Sequence, residues 1–240
     1  MNVTNQFGQP IGAPVEGWQP AVPPVRAPID GRYCRLEPLV PERHAEALWE
    51  AQNDDPEGRL WTYLPYGPFA DRVAYMRWVD ETCSGLDPLF MAIVPAESDG
   101  ARGLASYINV VSSMGTVEIG HLYFSPSLQR TRAATEGIYL MIRNTFDLGF
   151  RRLEWKCDSL NAPSRAAAER FGFRYEGTFL QHYVVKGRNR DTTWLSILDG
   201  EWPALRAAFE RWLDPSNFDE SGQQRTSLSN LTGSARTGRP

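Results

Sequence analysis

Thr116-Val-Glu-Ile-Gly-His-Leu-Tyr-Phe-Ser-Pro-Ser-Leu-Gln-Arg-Thr-Arg-Ala-Ala-Thr-Glu136 decides how the rest of the chain is read. Its first nine residues form a strand-like run. From Arg132 onward, Ala134, Ile138, Met141 or Ile142, Thr145 and Leu148 recur at helical spacing, and Gly149 is placed to end that helix in a left-handed cap. A strand therefore runs into a turn, and the turn into a helix whose first N–H groups have no partner inside the helix. Those N–H groups and the helix dipole suit an anion such as a pyrophosphate. Arg130 and Arg132 flank the turn and can add charge-assisted bonds. The alternative is an ordinary helix start with two solvated arginines.

Upstream, residues 33–38 read as a strand and 41–52 as a helix with Ala45, Leu48 and Trp49 inward. Residues 53–69 read as a loop with two prolines in its apolar half. Residues 70–83 read as a helix with Val73, Met76, Arg77 and Asp80 at helical spacing. Residues 89–94 and 103–111 are two more strands. Downstream, Leu153, Trp155 and Cys157 alternate with Glu154, Lys156 and Asp158, the period of a half-buried strand. Residues 161–171 make a short helix closed by Gly172. Residues 173–184 and 191–198 are strands joined around Lys186-Gly-Arg-Asn189, and 203–213 is a helix with Pro203 in its first turn. The order β-α-α-β-β-β-α-β-α-β-β-α is an α+β, or mixed α/β, pattern rather than a regular doubly wound sheet.

The 240 residues, 42% of them hydrophobic, suffice for one domain with a full core. The first 28 residues hold six prolines and only Glu16 and Arg26 as charges. They read as an extended arm (residues 1–30) that wraps the domain or a partner through Trp18 and Val22, or stays loose. The globular unit spans 31–213, and the polar residues 214–240 read as a flexible tail.

A net charge of −4 gives little support to general nucleic-acid binding and leaves only a local basic patch open. Twenty-three arginines stand against two lysines, Lys156 and Lys186, a bias that genome composition explains as well as function does. No apolar run is long enough to span a membrane. Residues 1–19 lack the basic start and apolar core of a secretory signal. Cys34, Cys83 and Cys157 are far apart, and with His44, His121 and His182 they make no metal-ligand spacing. Free structural cysteines in a reducing cytoplasm, and no metal, are the expectation.

Three features recur in one order: Glu118-Ile-Gly-His121 on a strand, Gln129-Arg-Thr-Arg-Ala-Ala-Thr-Glu136 opening a helix, and Asn161-Ala-Pro-Ser164 opening another. With Glu154-Trp-Lys-Cys-Asp158, the Phe171-Gly-Phe173 step and Arg190-Asp191-Thr192, they resemble the GNAT superfamily of N-acetyltransferases over roughly residues 31–213. The similarity is greatest to its RimJ/RimL branch of ribosomal-protein N-terminal acetyltransferases. The resemblance implies a central mixed sheet of six to seven strands, splayed between the fourth strand (116–124) and the fifth (153–158) and flanked by helices. It implies acetyl-CoA as co-substrate, no metal, and a homodimer in many members.

On this resemblance the cofactor would contact Phe124, Gln129, Arg130, Thr131, Arg132, Ala133, Ala134, Thr135, Asn161 and Ser164. The family loop carries glycines where this chain has Arg130 and Arg132. Arginine can still donate its N–H there if φ stays negative. Asn161 also suits a helix cap. Ser164 is the candidate proton donor to the leaving thiolate, in competition with a plain first-turn serine. The reaction needs a neutral amine; an α-amine with pKa ~8 is nearer that form than a lysine amine near 10.4. Glu118, His121 or a water chain would take its proton. Strict alternation sets His121 on the face opposite Glu118, and a bulge would reverse that. Strand N–H groups near residues 122–124 would polarise the thioester carbonyl. Trp61, Tyr63 and Tyr66 either line the acceptor pocket or form a packed cover. Arg190-Asp191-Thr192 reads as pairing at the sheet end.

The acceptor is then the α-amine of a peptide or a small primary amine. Alternatives are an antibiotic, a polyamine or an aminoacyl conjugate, or a GNAT-fold acyl-CoA-binding protein without turnover.

Overall fold

The computed structural model describes residues 3–235. One sheet runs through it, in the order β3 (Ile29–Asp30), β4 (Cys34–Pro38), β5 (Leu89–Pro95), β6 (Gly103–Val111), β7 (Thr116–Phe124), β8 (Arg152–Asp158), β10 (Arg188–Leu198), β9 (Arg174–Val185). Two-residue strands β1 (Val3–Thr4) and β2 (Pro10–Ile11) pair with each other. Every pairing in the large sheet is antiparallel except β7–β8, which is parallel and joined by the helix α3 (Arg132–Asp147). The sheet is mixed, as expected; β3 brings its strands to eight.

Both faces of the sheet are covered, which is why β5 reads Leu-Phe-Met-Ala-Ile without alternation. Met91 and Ile93 face α3, together with Val117, Ile119 and Leu153. Phe90 and Ala92 face a second core under α1 (Pro41–Gln52) and α2 (Arg72–Cys83), with Leu48, Trp61, Tyr75 and Tyr123. α2 buries Tyr75, Trp78, Val79 and Cys83. Val73, part of the apolar spacing read from the sequence, is 64% exposed. The two aromatic side chains Tyr75 and Trp78 outweigh that stripe. Helices α4 (Ala162–Arg170) and α5 (Trp202–Leu213) pack on the α3 side. Gly149 has φ +85, the expected left-handed end of α3.

Glu136 locks α3 to the sheet. Its carboxylate accepts the backbone N–H groups of Arg32 (2.9 Å), Tyr33 (2.5 Å) and Cys34 (2.8 Å). Gly31 permits this approach, since a Cβ there would stand 2.5 Å from Glu136 Oε2.

The polar C-terminal stretch expected to be a flexible tail is folded as far as residue 235. Phe218 bridges to Gln224, and α6 (Leu228–Ala235) buries Leu228 and Thr232. Asn217 supplies the reason: its amide donates to Trp212 O and Thr226 O and accepts from Thr226 N–H, so side-chain hydrogen bonds hold a segment poor in apolar residues. The remainder of that tail, 236–240, lies outside the described residues, as do 1–2 of the arm. The arm lies on the domain. Trp18 sits against Gly115 and Arg151, and Ala21 is the buried residue. Val22, expected as an anchor, has an exposed side chain and docks only by its N–H to Leu148 O.

Candidate active site

β7 and β8 pair from Thr116↔Arg152 to Ile119↔Trp155 and then part. Past Ile119, β7 has no strand beside it on the β8 side, and a cleft of about 1920 Å³ opens there. That exceeds the ~300–1,000 Å³ of an ordinary small-ligand pocket and suits a long cofactor and an acceptor together. Every residue expected to hold the cofactor lines it: Phe124, Gln129, Arg130, Thr131, Arg132, Ala133, Ala134, Thr135, Asn161 and Ser164.

At one end of the cleft stands the N-terminus of α3. Thr131 caps it, its hydroxyl accepting from Ala134 N–H (3.0 Å) and donating to Leu128 O (2.7 Å). Thr135 N–H returns to Thr131 O, which leaves the N–H groups of Arg132 and Ala133 open to an anion. Gln129 fixes the loop by donating to Phe124 O (2.9 Å). Arg130 has φ +61, so the condition set for its N–H donation, a negative φ, is not met. The loop keeps the left-handed turn that glycine would adopt freely, at a cost of roughly 1–2 kcal/mol for a side chain. Arg132 is turned away from the loop: its guanidinium is sandwiched between Tyr33 (5.1 Å) and Phe218 (4.5 Å). Arg170, on which sequence reasoning was silent, donates to Thr135 Oγ1 (3.1 Å) and lines the cleft. Residues 222–224 of the C-terminal segment line it as well.

On the α3 side, Asn161 caps α4, its Oδ1 accepting from Ser164 N–H (3.1 Å). Ser164 Oγ accepts from the Trp155 indole N–H (3.1 Å), and its side chain also hydrogen-bonds the Cys157 thiol.

On the opposite face stand Glu118 and His121. β7 carries a bulge: Leu104 and Ser106 of β6 face Tyr123 and Gly120, so that one residue of β6, Ala105, stands against two of β7, His121 and Leu122. His121 is the residue with φ +51 in that bulge. The bulge reverses the parity, so the His121 ring stacks on Tyr66 and lies against Phe90, on the α1–α2 side with Glu118. The opposite-face expectation fails for that reason.

Glu118 is buried. Both its donors, Lys156 Nζ (2.8 Å) and Asn109 Nδ2 (2.8 Å), take Oε2, which leaves Oε1 for an acceptor. Burial raises its pKa despite those partners. His121 is pushed down to about 4 by burial and by the charges of Lys156 and Arg190, so it is neutral at pH 7. Its Nδ1 is bonded to Tyr66 Oη (2.7 Å).

Of the three aromatics, Tyr63 lines the cleft and donates to Leu160 O (3.2 Å) across it. Trp61 is core, stacked on Tyr123 at 4.6 Å, and Tyr66 stands behind His121; neither lines the cleft. Lys156 was missed as the partner of Glu118. The signal was present: in a parallel pair, alternation puts Glu154 and Lys156 on the Glu118 face.

Among the described residues no helix is long and apolar enough to cross a membrane, and no His/Cys/Asp/Glu group is arranged to hold a metal ion. Residues 34–174 match the family model described as an acetyltransferase (GNAT) domain. No curated protein matches the chain.

Among solved structures, a GCN5-related N-acetyltransferase from Brucella melitensis is 44% identical over 91% of this chain and 100% of its own, with a TM-score of 0.89. A probable GNAT-family acetyltransferase from Chromobacterium violaceum is 45% identical over 82% and 98%, with a TM-score of 0.76. RimJ of Mycobacterium smegmatis, solved in complex with CoA-disulfide, is 22% identical over 84% and 88%, with a TM-score of 0.61; it shares the fold. The splayed sheet, the capped α3 N-terminus and the match over 34–174 together make this chain a member of the GNAT acetyltransferase family.

Proposed function

We propose that the chain is an acetyl-CoA-dependent N-acetyltransferase that moves an acetyl group directly to a primary amine within a ternary complex. The amine is a peptide α-amine, as in the RimJ/RimL branch, or that of a small molecule. The observation that carries this is the splay itself, with Glu118 Oε1 on one face and the Ser164 hydroxyl on the other. Acetyl-CoA, when bound, supplies a thioester with an electrophilic carbonyl carbon.

The α3 N-terminus, with Arg170 beside it, binds the diphosphate. As the amine nitrogen forms its bond to the acetyl carbon and the C–S bond breaks, Glu118 Oε1 takes the amine proton. The Ser164 hydroxyl protonates the leaving sulfur and recovers its proton from water. Glu118 is preferred to His121 as base because burial acts on the two in opposite directions: it raises the carboxyl's affinity for a proton and lowers the imidazole's, to a pKa of about 4. His121 then positions the amine, with Tyr66 holding its ring.

Cytoplasmic action and a homodimer belong to the same proposal. The free buried cysteines support the first, and Phe179, Leu180 and Val184, exposed on the edge strand β9, support the second. A second reading, a GNAT-fold acyl-CoA-binding protein without turnover, draws on Arg130 in the left-handed turn of the cofactor loop.

CoA release from acetyl-CoA, measured against amino acids, short peptides, polyamines and aminoglycosides, separates the two. Turnover with one class, collapsing in Glu118→Gln and slowed in Ser164→Ala, is the expected result. Tight acetyl-CoA binding by calorimetry with no amine acetylated would favour the second reading.

A further inference from the structure

The acceptor side of the sheet carries donors with nothing to donate to. Arg190, on β10, lines the cleft; its Nε is shielded from solvent and has no hydrogen-bond partner. Thr192 Oγ1 and Trp194 Nε1 of the same strand are in the same condition, and so is His182 Nδ1 on the neighbouring β9. These residues share the Glu118 face. Lys156 Nζ lies 4.6 Å from the Trp194 ring centre and bonds Glu118. The Arg190 guanidinium lies over Tyr183, which lines the cleft too.

Folded proteins leave few buried polar groups unpaired, and each such group marks strain or a missing partner. Of these four residues Arg190 alone lines the cleft, and a guanidinium can only donate, so its missing partner brings acceptor atoms. The charges nearby narrow it further. Lys156 is neutralised by Glu118. Asp158 accepts from Leu160 N–H, and Asp191 is turned toward Gln181 N–H and Asn189. Arg190 has no carboxylate paired with it among the described residues.

We infer that Arg190 is the specificity-determining residue of the acceptor site, pairing its planar fork with an anionic group, a carboxylate or a phosphate, carried by the amine that is acetylated. This rests on reading the cleft as an amine acetylation site. It disfavours polyamines and aminoglycosides, which would bring a second cation against Arg190.

The test compares kcat/KM for amines that differ in the anion: alanine, alaninamide and 2-aminoethyl phosphate, each at equal concentration of the neutral amine. Wild type, Arg190→Gln and Arg190→Lys are run side by side, with acetyl-CoA affinity by calorimetry as the check on folding. The expected result is a preference of at least tenfold for one anionic amine over alaninamide in the wild type. It falls toward one in Arg190→Gln, chiefly through KM, and is partly kept in Arg190→Lys. Whether alanine or 2-aminoethyl phosphate leads identifies the anion. Turnover of all three amines at a ratio untouched by Arg190→Gln overturns this inference and leaves the acetyltransferase reading standing. Acetylation of no amine in the wild type overturns both.

Discussion

Replacing Lys156 by Met should make the stability of this protein depend steeply on pH. Lys156 Nζ stands 2.8 Å from Glu118 Oε2, and Glu118 is 3% exposed. At that distance, with an effective dielectric of ~20, the attraction is about 6 kcal/mol before desolvation is subtracted. Without Lys156 the buried carboxylate takes up a proton rather than stay charged. For a carboxyl of ordinary pKa ~4.3, that costs about 3.7 kcal/mol at pH 7 and about 1 kcal/mol at pH 5.

The sign follows from linkage. The folded-state pKa of Glu118 is already raised by burial and rises further in Lys156→Met, so the penalty grows as pH climbs through the carboxylate range. Urea denaturation of wild type and Lys156→Met at pH 5 and pH 7 is the assay. A gap of up to about 3.7 kcal/mol at pH 7, less what burial already costs the wild-type carboxylate, and of about 1 kcal/mol or less at pH 5 is expected. The double variant Glu118→Gln with Lys156→Met should recover most of the loss at pH 7. A gap that does not change with pH, or a double variant as unstable as Lys156→Met alone, would refute the reasoning.

His121, held near 4 in the fold against an ordinary 6.5, costs stability as pH falls through that interval, about 3 kcal/mol in all. Its ring should stay neutral by NMR down to pH 5, and a midpoint above 5.5 would contradict its burial. Glu136→Ala orphans three backbone N–H groups and should lower unfolding free energy by about 3 kcal/mol or more, read by urea titration. Arg132→Gln removes the cation between Tyr33 and Phe218, worth about 1–2 kcal/mol. It should expose residues 214–227 to limited proteolysis, and an unchanged digest would count against the clamp.

The elements were legible because their periods were clean. The alternation of residues 153–158 and the helical stripe from Ala134 to Leu148 reappear as β8 and α3 within a residue or two. The start of α4 was legible for the same reason: capping chemistry is local, and Asn161 bonds three residues on. What escaped was carried by partners distant in sequence. Arg132 is decided by Tyr33 and Phe218, Glu136 by residues 32–34, and Trp61 by a ring at Tyr123. His121 turned on one bulge residue, which no pattern of period two announces. The C-terminal stretch misled because composition counts apolar residues and overlooks an asparagine that bonds three backbone groups at once.

Lys186 Nζ, at the β9–β10 hairpin, donates to Trp61 O at 2.7 Å and ties the hairpin to the 59–66 loop, two segments whose neighbouring residues line the cleft. The two, 125 positions apart, are thereby mechanically coupled. Anyone grafting a new acceptor preference onto this scaffold would have to exchange the 59–66 loop and the hairpin as a matched pair. The α3 loop, on the other side of the sheet, could be left untouched. On the proposed function, the same division lets inherited variation explore new amines without renegotiating the grip on the donor.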